Sequence, residues 1–149
     1  MIRVLEQNDY ETWIDLAKEV EPLFGPMVNS KEFQEGITWC IKSQDAFGIE
    51  NEKKELAGII ALNRKANEIL WLAVGQKDRG KHYGDLLVKR AVEELESNGD
   101  ILVQTFAEHI EEGKNARTIY ERNGFADLKN AGKNPANIDT VIMRRVQKS

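Results

Sequence analysis

The chain of 149 residues contains 1 Cys, 3 Pro and 2 His, and no apolar run nears the roughly 20 residues of a membrane-spanning helix. One thiol excludes an internal disulfide, and with it the small secreted scaffold that depends on such bonds. The two histidines, His82 and His109, stand far apart with no thiol or carboxylate at ligand spacing, so no metal is expected. With no Pro/Ser-rich linker, low-complexity tract or internal repeat, residues 1–149 read as a single domain. The start, Met1-Ile2-Arg3-Val4-Leu5-Glu6-Gln7, lacks a basic segment followed by an apolar stretch. A cytoplasmic protein with no membrane partner is the expectation. A formal net charge of -4 argues against a nucleic-acid partner.

What is present suffices for one core: 41% of the residues are hydrophobic, and a chain of this size buries roughly 70% of its unfolded surface. Ile2 and Val4 suit a short strand. Asn8 or Asp9 is placed to cap a helix to about Val20, stopped by Pro22 and Gly25-Pro26, and Ser30 to cap a second, with Phe33, Ile37, Cys40 and Ile41 on one stripe. Period-two patterning then predicts strands over 46–50, 56–62 and 68–74, joined by polar turns as a meander. The last is apolar on both faces and reads as a central strand covered on both sides. A helix over 84–97 and a strand over 101–106 complete a βαβ unit, which makes the strands at 68–74 and 101–106 parallel neighbours. A short helix from about Lys114 to Asn123, ended by Gly124, precedes strands near 125–128 and 138–145. The fold class is α+β with a mixed, mostly antiparallel sheet.

Two segments carry chemistry. Between strand and helix, Arg79-Gly80-Lys81-His82-Tyr83-Gly84-Asp85 places unpaired N–H groups, glycines and cations at the positive end of a helix dipole, an anion site suited to phosphate. Some thirty residues on, Asn115-Ala116-Arg117-Thr118-Ile119-Tyr120 leads to Asn123-Gly124-Phe125, with Asn115, Ile119 and Arg122 roughly on one helical face. Cys40, alone on a helix stripe, reads as a small buried hydrophobe.

In this order, the apolar strand, the loop opening a helix and the Asn115–Phe125 segment resemble the GNAT superfamily of acyl-CoA-dependent N-acetyltransferases. Arg79 and Gly84 match the ends of that family's Gln/Arg-x-x-Gly-x-Gly/Ala loop, whereas His82 stands where its middle Gly is usual. The resemblance implies a splayed parallel strand pair that admits acetyl-CoA as co-substrate. The pantetheine arm would lie along Leu72, Ala73 and Val74, the pyrophosphate on Arg79 to Asp85, and Asn115 against the pantetheine. It further implies direct attack by a primary amine, with Tyr120 as general acid for the CoA thiolate and Glu68 as the candidate base. Glu108 and His109 lie near the expected acceptor end, and Trp39, Phe24 and Phe106 are candidates for an acceptor pocket. The acceptor is a small amine or amino acid, or a protein amine; a homodimer is possible. His82 in place of Gly favours an alternative, a non-catalytic acyl-CoA-binding or sensing module. Residues 1–60 hold 6 Lys/Arg against 12 Asp/Glu. Glu32 and Glu35 of this acidic segment would border the acceptor entrance and attract a cationic amine.

Overall fold

The computed structural model describes residues 1–148. Strand β1 (Ile2–Val4) is followed by helices α1 (Tyr10–Phe24) and α2 (Lys31–Lys42), then by the meander β2 (Ala46–Glu50), β3 (Leu56–Asn63) and β4 (Glu68–Val74). Helix α3 (Tyr83–Leu95) leads to β5 (Ile101–Phe106), α4 (Lys114–Arg122), β6 (Ala126–Lys133) and β7 (Asp139–Arg145). Among the described residues these strands form one sheet of order β1-β2-β3-β4-β5-β7-β6, in which only β4 and β5 run parallel.

Alternation along the central strands sends their side chains into two apolar layers. On one face Ile60, Leu62, Ile69, Val103 and Met143 pack against Leu87, Val88 and Ala91 of α3 and Tyr120 of α4. On the other, Ile59 and Ala61 meet Trp13 and Leu16 of α1 and Ile37, Cys40 and Ile41 of α2. Cys40 is buried, and desolvation pushes its thiol up to about 11, so it stays a protonated apolar filler.

Two helix ends differ from expectation. Helix α1 runs through Pro22, whose ring removes one backbone donor in the last turn without ending the helix. The stop is Gly25, at φ 105°, whose N–H bonds the Glu21 carbonyl at 2.8 Å. A Cβ on Gly25 would lie 2.4 Å from Cβ of Pro135, so the end of α1 and the β6–β7 loop meet through this glycine. Asp9 does not cap α1 with its side chain; its carboxylate instead takes the Glu6 N–H at 2.7 Å and pairs with Arg3 at 2.8 Å. Ser30 caps α2 as expected, accepting from the Phe33 N–H at 3.2 Å.

Candidate active site

The site originates in one extra residue on β4. Opposite β3, Ala61 pairs with Trp71 and Leu62 with Ile69, so Leu70 has no partner and bulges. A bulge bends its strand and breaks the ladder locally. Pairing with β5 covers only Glu68↔Leu102 and Ile69↔Val103, and beyond it the two strands separate. Leu70 is consequently 50% exposed, and β4 is not covered on both sides as its apolar pattern predicts.

The gap opens into a cavity of about 270 Å³. Leu70, Trp71 and Leu72 line it from β4, and Val103, Gln104, Thr105 and Phe106 from β5. Ala116 and Tyr120 of α4 contribute from one face. Phe24 of α1, with Asn134, Pro135 and Thr140 around the β6–β7 loop, completes the lining. Leu72 and Val103 belong with the α3/α4 layer and Trp71 with the α1/α2 layer, so the cavity passes through the sheet. On the α1/α2 side Phe24 stands edge-on to Trp71 at 6.3 Å and 5.9 Å from Phe106.

Tyr120 is buried, with its ring 5.6 Å from that of Phe125. Burial drives its phenol above the ordinary value, and among the described residues its hydroxyl has no hydrogen-bond partner. The gap also has a free backbone edge. The Gly75 N–H bonds the Ala57 carbonyl at 2.8 Å, and alternate residues of an antiparallel ladder face opposite ways. Leu72 and Val74 therefore turn their N–H and C=O groups toward the gap, while Ala73 faces β3 opposite Ile59 and has nothing to offer there.

Past β4, the N–H groups of Gly80, Lys81 and His82 donate to nothing among the described residues, and those of Tyr83, Gly84 and Asp85 open α3. His82 adopts φ 64°, ψ 18°, the left-handed conformation that glycine takes most readily, with its side chain exposed. The loop thus reaches, with a side chain, the geometry a glycine would supply. The side chains here are less free than their charges suggest. Lys81 Nζ lies 3.1 Å from Asp78 and 3.2 Å from Glu52, Tyr83 reaches Glu52 at 3.4 Å, and the Arg79 Nε donates to the Val74 carbonyl at 3.4 Å. The Asp85 carboxylate, held below its ordinary range by Lys89 at 2.7 Å, also accepts from Asn123 at 3.0 Å. What this loop presents to an anion is backbone.

Several expected residues lie elsewhere. Asn115 is exposed in the first turn of α4, and it is Ala116 that reaches the cavity. Glu68 sits at the closed, paired end of β4, where burial raises its carboxyl, and it does not line the cavity. Of the aromatic candidates Phe24 and Phe106 line it, whereas Trp39 is 69% exposed on the outer face of α2, beside Glu35 and Lys42. Neither Glu32 nor Glu35 borders the cavity, because the acidic face of α2 points to solvent. Glu108 and His109 are exposed beyond β5, with His109 3.0 Å from Asp139.

Arg117 was not foreseen. Its buried guanidinium donates to the Phe106 carbonyl at 3.1 Å and pairs with Asp127 at 2.9 Å, fixing α4, and hence Tyr120, against the end of β5. Gly113 has a similar task, since a Cβ there would lie 2.3 Å from Cβ of Phe106.

A family model described as an acetyltransferase (GNAT) domain matches residues 14–146. A search of curated protein sequences returns no match. Among solved structures, the ribosomal-protein-alanine N-acetyltransferase of Brucella melitensis is similar at TM-score 0.77 and 13% identity, over 98% of this chain and 99% of that one. The spermidine N-acetyltransferase of Vibrio cholerae, solved with CoA and spermine, is similar at TM-score 0.73 and 19% identity, over 99% and 95%. A histone acetyltransferase HPA2-related acetyltransferase of Corynebacterium glutamicum gives TM-score 0.74 at 14% identity, over 100% and 97%. With nearly the whole chain matched and the separated parallel pair in place, the protein belongs to the GNAT family and is an N-acetyltransferase.

Proposed function

We propose that this chain moves the acetyl group of acetyl-CoA to a primary amine by direct attack, with both substrates bound at once. The observation that carries this reading is a cavity that passes through the sheet, with Tyr120 on one face and three aromatic rings on the other. Two substrates can meet there from opposite sides without a covalent enzyme intermediate, and the one cysteine, buried in the α1/α2 layer, takes no part.

The residues fit the acyl donor on two counts. The unpaired backbone of Leu72, together with the Val74 N–H, suits an extended, amide-bearing arm, which would add to β4 as a strand does once the exposed Arg79 side chain releases the Val74 carbonyl. The free N–H groups from Gly80 to Asp85 suit the two phosphates. That the His82 backbone adopts the left-handed geometry of a glycine supports retained binding and turnover rather than a sensing module.

The amine attacks as the neutral base, and an N–H near Val74 receives the developing negative charge on the carbonyl oxygen. As the carbon–sulfur bond breaks, Tyr120 gives its phenolic proton to the sulfur and later recovers one from solvent. The nitrogen sheds its proton to water. Glu68, made more basic by burial, is the proposed final acceptor through a water chain. The test is release of CoA thiol with an amine panel, together with a search for acetylated protein after acetyl-CoA alone. Amine-dependent thiol release and no acetyl-protein are expected; a stoichiometric acetyl-protein would refute direct attack.

A further inference from the structure

Resting on that reading, we infer that the acceptor is a monoamine with an apolar or aromatic body, oriented by Gln104, rather than a polyamine. No charged side chain lines the cavity among the described residues. Its wall on the α1/α2 face is Phe24, Trp71 and Phe106, with Pro135 from the β6–β7 loop.

The polar groups there are mostly committed to one another. The Thr140 hydroxyl donates to the Gly132 carbonyl at 2.9 Å, so it can only accept from Gln104, whose Nε2 lies 3.0 Å away. This fixes the Gln104 amide and leaves its Oε1 without a protein partner among the described residues, at an exposed position where the cavity meets solvent. Asn134 is fully used: its Nδ2 donates to the Leu23 carbonyl at 2.8 Å, and its Oδ1 accepts from Ala136 at 2.9 Å and Ile138 at 3.2 Å. The carboxylate nearest along the lining strands, Asp139, is shared by Lys133 at 2.9 Å and His109 at 3.0 Å.

On the aromatic face, Gln104 Oε1 is a free neutral acceptor and the buried Trp71 indole N–H an unpaired donor, while the Thr105 and Tyr120 hydroxyls also line the cavity; neutral groups beside three rings match one amine and an apolar remainder. Apolar walls also favour the uncharged amine that attack requires. A second ammonium buried here would lose its hydration with no anion to replace it.

The experiment compares kcat/KM with acetyl-CoA for phenethylamine, hexylamine, the α,ω-diamine of hexylamine, and spermidine, in the wild type and in Gln104→Leu and Gln104→Glu. The monoamines should lead by about tenfold or more in the wild type. Gln104→Leu should raise KM for phenethylamine and leave that for acetyl-CoA alone; Gln104→Glu should move the preference toward the diamine. A wild type that uses the diamine or spermidine as well as hexylamine, or Gln104 variants that leave the ranking unmoved, would overturn the inference. If no amine releases thiol, the transfer reading fails instead, and amine binding to the CoA-loaded protein, followed by tryptophan fluorescence, still decides the ranking.

Discussion

Removing the Tyr120 hydroxyl separates a chemical role from a structural one, because the two predict opposite signs. In the folded chain the ring is buried and packs on Phe125, but the hydroxyl has no protein partner among the described residues. Tyr120→Phe therefore breaks no bond within the protein, and it removes an oxygen from the cavity wall without leaving a buried polar partner unsatisfied. Stability should stay within about 0.5 kcal/mol of wild type or rise. Turnover should fall, because a hydrogen bond to a developing thiolate contributes about 1.5–3 kcal/mol, equivalent to about 10- to 100-fold in kcat. The pH dependence follows from the direction of the shift. Burial holds the phenol protonated beyond its usual value of about 10, so Tyr120 stabilises the fold below that pH and loses this contribution as pH rises through the higher folded value. Tyr120→Phe should accordingly unfold less readily in strong alkali. Thiol release under saturating acetyl-CoA gives kcat, and urea unfolding gives stability. An unchanged kcat, or a stability loss above about 2 kcal/mol, would refute the reasoning.

Two further outcomes follow from local geometry. His82→Gly should stabilise the fold by about 0.5–1 kcal/mol, since His82 sits at φ 64°, and should leave acetyl-CoA affinity unchanged because the loop presents backbone; a loss of either in denaturant titration and calorimetry would contradict this. Asp9 is held below its ordinary range, chiefly by the Arg3 guanidinium, so its contribution is complete above about pH 4 and disappears as pH falls through the depressed value. Asp9→Asn should cost about 1 kcal/mol at neutral pH and flatten the acid limb of the stability curve; a parallel curve would show that the pair does not set it.

The element order and the parallel pair were legible because period-two and helical patterning act locally, and because a strand–helix–strand crossover has one favoured hand. The loop from Arg79 to Asp85 was legible for the same reason. The opening itself was not. It depends on Leu70 being one residue too many opposite β3, a count that exists only between two strands. Pro22 misled because a proline removes only its own bond to the residue four back, and the chain beyond it still closes the last turn, with the Gly25 N–H on the Glu21 carbonyl. Arg117 and Gln104 were invisible because their partners, the Phe106 carbonyl and the Thr140 hydroxyl, come from other elements. The acidic half of the chain suggested a cationic acceptor, and the direction in which α2 faces removes that argument.

An unpaired strand edge is ordinarily a hazard, since it offers another chain a template for sheet growth. Here such an edge lies in the middle of the sheet, along Leu72 and Val74, with β5 on its far side. Around Leu72, Phe24 and Pro135 line the gap from one face and Ala116 and Tyr120 from the other. On the proposed reading, this placement would admit a slender guest to the backbone at Leu72 while withholding it from the strands of other proteins.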